Sequence, residues 1–303
     1  MIENLKLVNT VSNQELKLST TETPNYILGE ADLGTVQSTL YSYKYVNQIG
    51  RNITGSSYEM RNIYIIGWIV ADTKIQMTDL KNLLNRFVNP KNMIDVFYKN
   101  YKISFLPDTS VLYASEYYDN NEVICKFKIS GVCPYPLFSD INIKRVSSSV
   151  FKPEFRFPLV FKPLQDGHPP KILFGNKIVN NRIELINDGS VPTGVIATFV
   201  AKTGEVVNPK VTNVNTGDFF KLNKTLKLSE QVFINTNTGS KSVTGKEKNG
   251  EILNYFKYLD YGSSWMQLDV GANDYEMSAD KGVENLEFTI DFSNKYLEVQ
   301  EWD

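Results

Sequence analysis

The sequence predicts a mainly β protein with two domains, an α+β domain followed by a β-sandwich. Three observations predict this fold class. The 303 residues suffice for two domains of ordinary size. Tyr and Phe each occur 17 times, and aromatic residues fit the half-buried surface of a pleated sheet. Only the first half contains a segment with the spacing of an amphipathic helix.

The first half alternates apolar and polar residues over several short segments. Strands are therefore predicted at 26–33, 39–45, 58–70, 93–98, 101–106, 111–118 and 122–132. Residues 50–57, GRNITGSS, predict a polar loop between the second and third of these strands. A turn is expected at residues 119–121 because Asp and Asn tolerate left-handed geometry.

The predicted helix is defined by one apolar face. That face comprises Leu80, Leu83, Leu84, Phe87 and Val88, at i, i+3, i+4, i+7 and i+8. A Thr hydroxyl at position 78 can cap the first turn, and Asp79 suits the positive end of the helix dipole. Asn89-Pro90 should end the helix, because proline disfavours helical geometry in the preceding residue.

The second half predicts a β-sandwich, because many short strands are separated by regular turns. Strands are expected at 155–161, 181–187, 195–201, 210–215, 231–235, 265–270 and 285–292. The basic stretch 241–248 is interrupted by small and polar residues, which favours an exposed loop. Pro134 and Pro136 cannot continue a central strand. We therefore predict a first domain at 1–135, a linker at 136–153 and a second domain at 154–303.

The residues favour no catalytic, metal or cofactor site. The single histidine, His168, precedes two prolines in a predicted loop, a poor position for a general base. One His and two Cys cannot supply the usual four ligands of a zinc site, although oxygen ligands around Asp72 or Asp188 stay open. No phosphate-binding glycine motif occurs. Carboxylates such as Glu116 and Glu122 could form a glycosidase pair, but solvated positions are the simpler interpretation.

Charge and hydropathy exclude two classes of partner. The chain has 32 basic and 34 acidic residues, whereas a nucleic-acid binder usually carries a basic excess. Its longest apolar stretch, residues 63–71, is far shorter than the ~20 residues of a membrane helix. No secretory signal is recognisable, so we expect a soluble protein made in a cytosol. Cys125 and Cys133 are then expected to be reduced, buried packing residues.

Two sets of residues are candidates for binding. Tyr41, Tyr43 and Tyr45 alternate along a predicted strand and would share one face, where they could stack on a sugar. Trp265 and Tyr275 could stack on a sugar in the second half. Ordinary core or interface packing is the simpler interpretation of both sets.

The order of segments resembles the distal tail protein family of siphophages. The first half contains GRNITGSSYEMRNIYIIGWIVAD, a Leu-rich helix ending in Asn-Pro, MIDVFYKNYKISFLPDTS and GVCPYPLFSD. The second half contains FRFPLVF, then NDGSVPTGVIATFVAKTGEVVNPKVTNVNTGDFFKLNKTLKLSEQVFINT, and later SSWMQLDVGAND. The resemblance covers nearly the whole chain.

This resemblance implies a non-enzymatic structural protein of the virion, assembled in the cytoplasm of a bacterial host. It implies a tail-tube-like N-terminal domain with one helix and a galectin-like C-terminal β-sandwich. Six N-terminal domains would close into a homo-hexameric ring. One side of the ring would meet the tail-tube protein, and the other the tail-associated lysin or tip protein. The outer domains can carry receptor-binding components.

We expect ring or partner contacts at the exposed loop and the tyrosine row. The candidate residues are Tyr41, Tyr43, Tyr45, Arg51, Tyr58 and Arg61. Ring closure requires head-to-tail contacts between different surfaces of each copy. The main alternative is a baseplate module that binds host saccharide. Galectins bind sugar through several histidines and arginines and a tryptophan, whereas the second half here has one His and only Trp265 and Trp302, so the analogy of fold supports sugar binding weakly. A glycoside hydrolase and a tail-tube subunit are further alternatives.

Overall fold

The computed structural model describes residues 2–21, 25–153, 175–179 and 181–299. His168 and the predicted strand 155–161 lie outside these residues. The chain forms two compact units, Met1–Asn142 with Lys295–Asp303, and Ile143–Asn294. The domain boundaries inferred from the sequence stay a prediction, since the contacts that define these units do not test independent folding.

The first unit contains most of its strands before and after one helix. Strands β1 (Asn4–Asn9), β2 (Glu15–Ser19), β3 (Tyr26–Asp32), β4 (Ser38–Tyr43), β5 (Asn52–Tyr58) and β6 (Arg61–Val70) come first. Helix α1 (Lys74–Phe87) is followed by β7 (Ile94–Tyr98), β8 (Tyr101–Pro107), β9 (Leu112–Tyr113), β10 (Ile124–Cys133) and β11 (Phe138–Asp140).

The second unit contains short strands and two 3-10 turns. The strands are β12 (Lys144–Ser147), β13 (Ser149–Pro153), β14 (Gly175–Val179), β15 (Arg182–Asn187), β16 (Val195–Ala201), β17 (Val206–Val207), β18 (Lys210–Asn213), β19 (Phe219–Lys221), β20 (Thr225–Leu226), β21 (Gln231–Asn235), β22 (Ser242–Lys246), β23 (Ile252–Asn254), β24 (Gly271–Ser278) and β25 (Leu286–Phe292). The 3-10 turns are η1 (Phe256–Tyr258) and η2 (Val283–Asn285). Strand β26 (Lys295–Tyr296) belongs to the first unit.

The first unit is built on a barrel. Its large sheet has the order β26-β11-β8-β7-β1-β2-β3-β6-β10-β9, and an additional pairing of β8 with β10 closes it. Strand β6 buries every second residue from Arg61 to Ile69, and each fully buried Ile contributes roughly 1.5–3 kcal/mol. Gly67 on β6 is needed for this packing, since a Cβ there would lie 2.5 Å from Phe127 Cζ.

Helix α1 begins about one turn before its predicted start. Thr73 is the N-cap, and its side chain accepts a hydrogen bond from the Gln76 backbone N–H at 3.2 Å. Thr78 instead lies inside the helix and donates to the Lys74 carbonyl. The predicted apolar face is only partly buried, because Leu83 is 51% exposed. Among the described residues, no helix has both the length and the apolarity needed to cross a membrane.

Three other predictions for the first unit were wrong in their bounds. The segment 50–57 is not a loop, because Asn52–Tyr58 forms β5. The predicted strand 58–70 is instead the end of β5 followed by β6, which starts at Arg61. Of the predicted strand 111–118, only Leu112–Tyr113 pairs, at the edge of the sheet.

The second unit consists of two main sheets around one apolar core. The larger sheet has the order β12-β25-β16-β21-β22-β23, and the smaller has the order β15-β24-β18-β19. Strands β13 and β14 form one further pair, and β17 and β20 another. Phe199 on β16 and Phe288 on β25 are fully buried, with ring centroids 5.2 Å apart. The predicted strand at 285–292 is confirmed as β25, in which every second residue, and with it all four of its apolar side chains, is buried.

Two segments of the second unit differ from the sequence prediction. Residues 242–246 form β22, although their region was expected to be a loop. Residues 265–270 form no strand and make only an isolated bridge between Leu268 and Thr193. The neighbouring strand is β24, which was missed because Gly, Asn and Asp in its first half are poor strand formers.

A buried carboxylate, Glu230, directly precedes β21 in the second unit. The Glu230 side chain is 5% exposed and pairs with Lys224 Nζ at 2.7 Å. It also accepts hydrogen bonds from the Tyr255 hydroxyl at 2.5 Å and from the Lys227 backbone N–H at 3.0 Å. Burial alone would raise the pKa of Glu230, but these donors outweigh it and lower the pKa below its usual value.

Because the pKa of Glu230 is lowered in the fold, we expect the free energy of unfolding to fall in acid. A group whose pKa is lower in the folded state stabilises the fold above its unfolded pKa, near 4.5, and the contribution is lost as pH falls through the folded pKa. We therefore expect Glu230→Gln to be less stable than the wild type at pH 7, with the difference shrinking below about pH 4. Urea unfolding followed at several pH values measures this. A difference that grew in acid would contradict it.

Candidate interaction site

A two-stranded hairpin of the first unit, which we call the hairpin arm (residues 38–58), exposes most of its apolar side chains. Strands β4 and β5 pair antiparallel with each other and with no other described strand. The register shifts between Tyr41 and Ser42, where Thr54 is the extra residue on β5. Because an isolated hairpin is only marginally stable in water, this arm is expected to pack against something.

The apolar side chains of the arm are largely uncovered. Those with more than half of their surface exposed are Leu40, Tyr41, Tyr45, Val46, Ile49, Ile53 and Tyr58. At the tip, Val46 is 92% exposed and Ile49 is 100% exposed. Contiguous exposed apolar residues of this kind mark interaction surfaces in soluble proteins.

Hydrogen bonds order the arm from within. Tyr41 and Ser57 share a hydroxyl–hydroxyl contact of 3.0 Å across the strands, and Arg51 donates to the Ser42 hydroxyl at 3.1 Å. The Tyr43 and Tyr45 rings meet edge to face with centroids 5.1 Å apart. A surface ordered before binding loses less conformational entropy when a partner covers it.

The structure brings together five of the six residues that the sequence analysis named as interface candidates. Tyr41, Tyr43, Tyr45, Arg51 and Tyr58 all lie on the hairpin arm and are exposed. The sequence analysis missed Val46 and Ile49 at its tip. The sequence contains a signal for them, because two aliphatic residues are unusual among the polar residues of a turn. They were overlooked because turn residues are usually solvated.

The sixth candidate, Arg61, does not fit the predicted interface. Its side chain is fully buried and cannot contact another subunit. Its guanidinium donates to the carbonyls of Leu33 at 3.4 Å, of Gly34 at 3.3 Å and of Leu297. It also lies 4.6 Å from the Phe138 ring centroid. Arg61 therefore joins the base of the hairpin arm to the C-terminal segment within the first unit.

The saccharide candidates are not arranged for stacking. Tyr275 is fully buried and donates its hydroxyl to the Gln267 carbonyl at 3.1 Å, so it is unavailable to a ligand. Trp265 is partly buried, and its ring contacts Phe220, Phe256 and the Lys241 ammonium. Neither residue presents the free aromatic face that a sugar requires.

The described carboxylates and thiols form no evident reaction centre. Among the described residues, no cluster of three or more His, Cys, Asp or Glu side chains is placed to hold a metal ion. Glu122 forms an exposed ion pair with Lys74 at 2.9 Å, and Asp188 forms one with Lys144 at 2.6 Å. Cys125 and Cys133 are buried, and burial raises the pKa of the Cys133 thiol to about 12.

Comparison with known proteins covers both halves of the chain. Residues 16–122 match a family model described as phage tail protein RIFT-related domain. Residues 188–296 match a model described as siphovirus-type tail component, C-terminal domain. No curated protein sequence matches the chain.

Two solved structures share the fold. The Dit protein of phage SPP1, described as a paradigm of the hub adsorption apparatus of phages infecting Gram-positive bacteria, is 13% identical. It aligns over 96% of this chain and 98% of its own, with a TM-score of 0.64. A chain of the phage P2 baseplate in its activated conformation is also 13% identical, covers 99% of this chain and 100% of its own, and has a TM-score of 0.51. With both family models matched in this order along the chain, the chain belongs to the siphovirus distal tail protein (Dit) family, whose members are components of the phage tail.

Proposed function

We propose that this protein forms a closed head-to-tail ring of six copies through its hairpin arm. The ring would join the tail-tube protein on one side to the tail-associated lysin or tip protein on the other. Adsorption components, including receptor-binding proteins, would attach to the assembled ring. The observation that carries this proposal is the hairpin arm, an ordered apolar surface that the described chain leaves uncovered.

Physical chemistry supports a ring rather than a symmetric dimer. The hairpin arm is a projecting element, and it must be covered by a surface different from itself unless two arms pair. Contacts between different surfaces generate rings when the rotation closes and filaments when it does not. Each apolar Å² that is buried contributes roughly 25 cal/mol, so covering several exposed aromatic and aliphatic side chains favours assembly.

The test is the mass of the full chain in solution. We expect light scattering to give six times the 34.5 kDa of one chain, and negative-stain images of the same sample to show closed rings. Open filaments would instead favour a tail-tube subunit. A monomer that persisted at high concentration would contradict assembly through the arm.

A further inference from the structure

The turn between β22 and β23 in the second unit contains the dipeptide Asn249-Gly250. It is the one place in the sequence where glycine follows asparagine. Both residues are exposed. Gly250 has a φ of +87°, and a Cβ at this position would meet no atom within 4 Å, so water reaches this side of the turn freely. The turn therefore combines an exposed carboxamide with a backbone nitrogen that no side chain shields.

An asparagine followed by glycine can react with its own backbone. Attack by the nitrogen of the next residue on the side-chain carbon Cγ closes a five-membered ring, and glycine has no Cβ to hinder this approach. Every other asparagine in the chain is followed by a residue with a side chain. Steric hindrance to ring closure is therefore lowest at Asn249.

Two contacts orient the carboxamide of Asn249. Its Oδ1 accepts a hydrogen bond from the Glu251 backbone N–H at 3.0 Å. This donor polarises the carbonyl and would stabilise the negative charge that develops on Oδ1 during attack on Cγ. Its Nδ2, the leaving nitrogen, donates to the Glu251 carboxylate at 3.4 Å. The turn thus holds the side chain in an arrangement that favours loss of its amide.

One hydrogen bond opposes this reaction. The Gly250 N–H donates to the Glu247 carbonyl at 2.9 Å, so the nitrogen must leave this bond before it can attack. Strand β23 has three residues, all of them exposed, and among the described strands it pairs only with β22. A short edge strand with few buried contacts opens at a small cost in free energy, so the turn can reach the reactive geometry.

We propose that Asn249 is a site of spontaneous deamidation through a cyclic imide. The Gly250 nitrogen forms a bond to Cγ of Asn249, the bond from Cγ to Nδ2 breaks, and ammonia leaves with the proton of the Gly250 N–H. Water then opens the imide at one of its two carbonyl carbons. The products are aspartate and isoaspartate, in which the backbone runs through the former side chain. The reaction needs water and no other reagent.

Either product changes the edge of the larger sheet. A new carboxylate would lie between Glu247 and Glu251, and like charges at alternate positions of one turn repel each other. Isoaspartate also lengthens the backbone by a methylene group inside the turn, which is closed by the hydrogen bond from the Glu247 N–H to the Glu251 carbonyl at 3.0 Å. We therefore expect β23 to exchange its amide hydrogens faster after conversion, while β21 and β25 remain protected.

Peptide mapping of the full chain by mass spectrometry tests the proposal. After incubation at neutral pH, the peptide with Asn249 should contain the acid in place of the amide, and an isoaspartyl methyltransferase should label its isoaspartate. Asn215 is the internal control, since it is also exposed in a hairpin turn but is followed by Thr216. Conversion at Asn249 should exceed conversion at Asn215 severalfold and should rise with pH, because the attacking nitrogen must lose its proton.

A variant separates ring closure from simple exposure. Gly250→Asn keeps a residue that tolerates left-handed geometry but adds a Cβ, so conversion at Asn249 should slow severalfold. Equal conversion at Asn249 and Asn215 would refute the proposal, as would unchanged conversion in Gly250→Asn. Aspartate without isoaspartate would show direct hydrolysis and would refute the imide route. The comparison with Asn215 needs no substitution, so it decides the question even where the variant does not fold.

Discussion

If the proposed ring closes through the hairpin arm, replacing Val46 and Ile49 together by Lys is expected to give monomers without lowering the melting temperature of the monomer. Both side chains are almost wholly exposed, so their replacement removes no packing within the chain. In the ring, each substitution would place an ammonium group in an apolar contact, which costs several kcal/mol unless a partner charge compensates it. In the proposed six-copy ring the substitutions would weaken all six equivalent contacts at once, so the effect on assembly should be close to complete.

Light scattering and thermal unfolding on the same samples measure the two halves of this prediction. Tyr261→Lys is the matched control, since Tyr261 is also fully exposed but lies in the second unit. The control should keep both the mass and the melting temperature of the wild type. Rings in the double variant would show that the tip is dispensable, and equal loss in the control would show a general effect of added charge.

The same exposure explains why the sequence pattern identified some strands and not others. Strands β16 and β21 were predicted with their observed bounds, because one face of each packs on the core and alternation follows. In strand β5 every residue is exposed or half-buried, so this strand has no face that packs on the core of the chain. A strand without a buried face has no alternating signature, so GRNITGSS was interpreted as a loop.

The three tyrosines lie together on the hairpin arm, but their arrangement is not the alternation that the sequence predicts. Alternation predicted that Tyr41, Tyr43 and Tyr45 share one face of a strand, but β4 ends at Tyr43 and the partner strand bulges opposite Tyr41. What holds Tyr45 beside Tyr43 is a ring–ring contact in the turn. Register and bulges depend on the paired strand, and the sequence of one strand does not contain them.

Arg61 shows the limit set by contacts distant in sequence. A charged residue is normally expected to be exposed, and the residues next to Arg61 in the sequence give no reason to expect otherwise. Its neighbour Met60 is indeed exposed. The groups that accept its hydrogen bonds include Leu297, 236 residues away. Its burial is therefore a property of the folded unit, in which the C-terminal segment returns to the first unit through β26.

The packing around Arg61 makes the guanidinium more important than a single ion pair. Its ion pair with Glu298, at 3.7 Å, is weak because the carboxylate is 55% exposed. The three backbone carbonyls are the stronger partners, since their hydrogen bonds to the guanidinium are buried or partly buried. Arg61 Nε is buried and has no hydrogen-bond partner among the described residues, which costs desolvation free energy. The other contacts of the guanidinium must therefore offset this cost.

Arg61→Met should therefore destabilise the first unit by on the order of 3 kcal/mol, because it keeps much of the volume but leaves buried carbonyls without donors. We also expect faster amide hydrogen exchange across Lys295–Tyr296. The variant would lose the hydrogen bond from Arg61 to the Leu297 carbonyl, which holds the chain directly after β26. Urea unfolding with a probe in the first unit, together with hydrogen exchange read by mass spectrometry, measures both effects. Arg61→Lys should recover little, because one ammonium cannot reach carbonyls that the planar guanidinium spans.

Arg51→Met is the matched control, because the same chemical change is made on the exposed hairpin arm. Arg51 donates only to the Ser42 hydroxyl among the described contacts, so its loss should leave stability and exchange nearly unchanged. Equal effects of the two substitutions would contradict a special role for Arg61. A stability loss in Arg61→Met without faster exchange in the C-terminal segment would place its contribution at the base of the hairpin arm alone. If both readouts change, the last strand stabilises the same unit that carries the arm, and truncations before Lys295 should impair ring assembly through loss of that unit's fold.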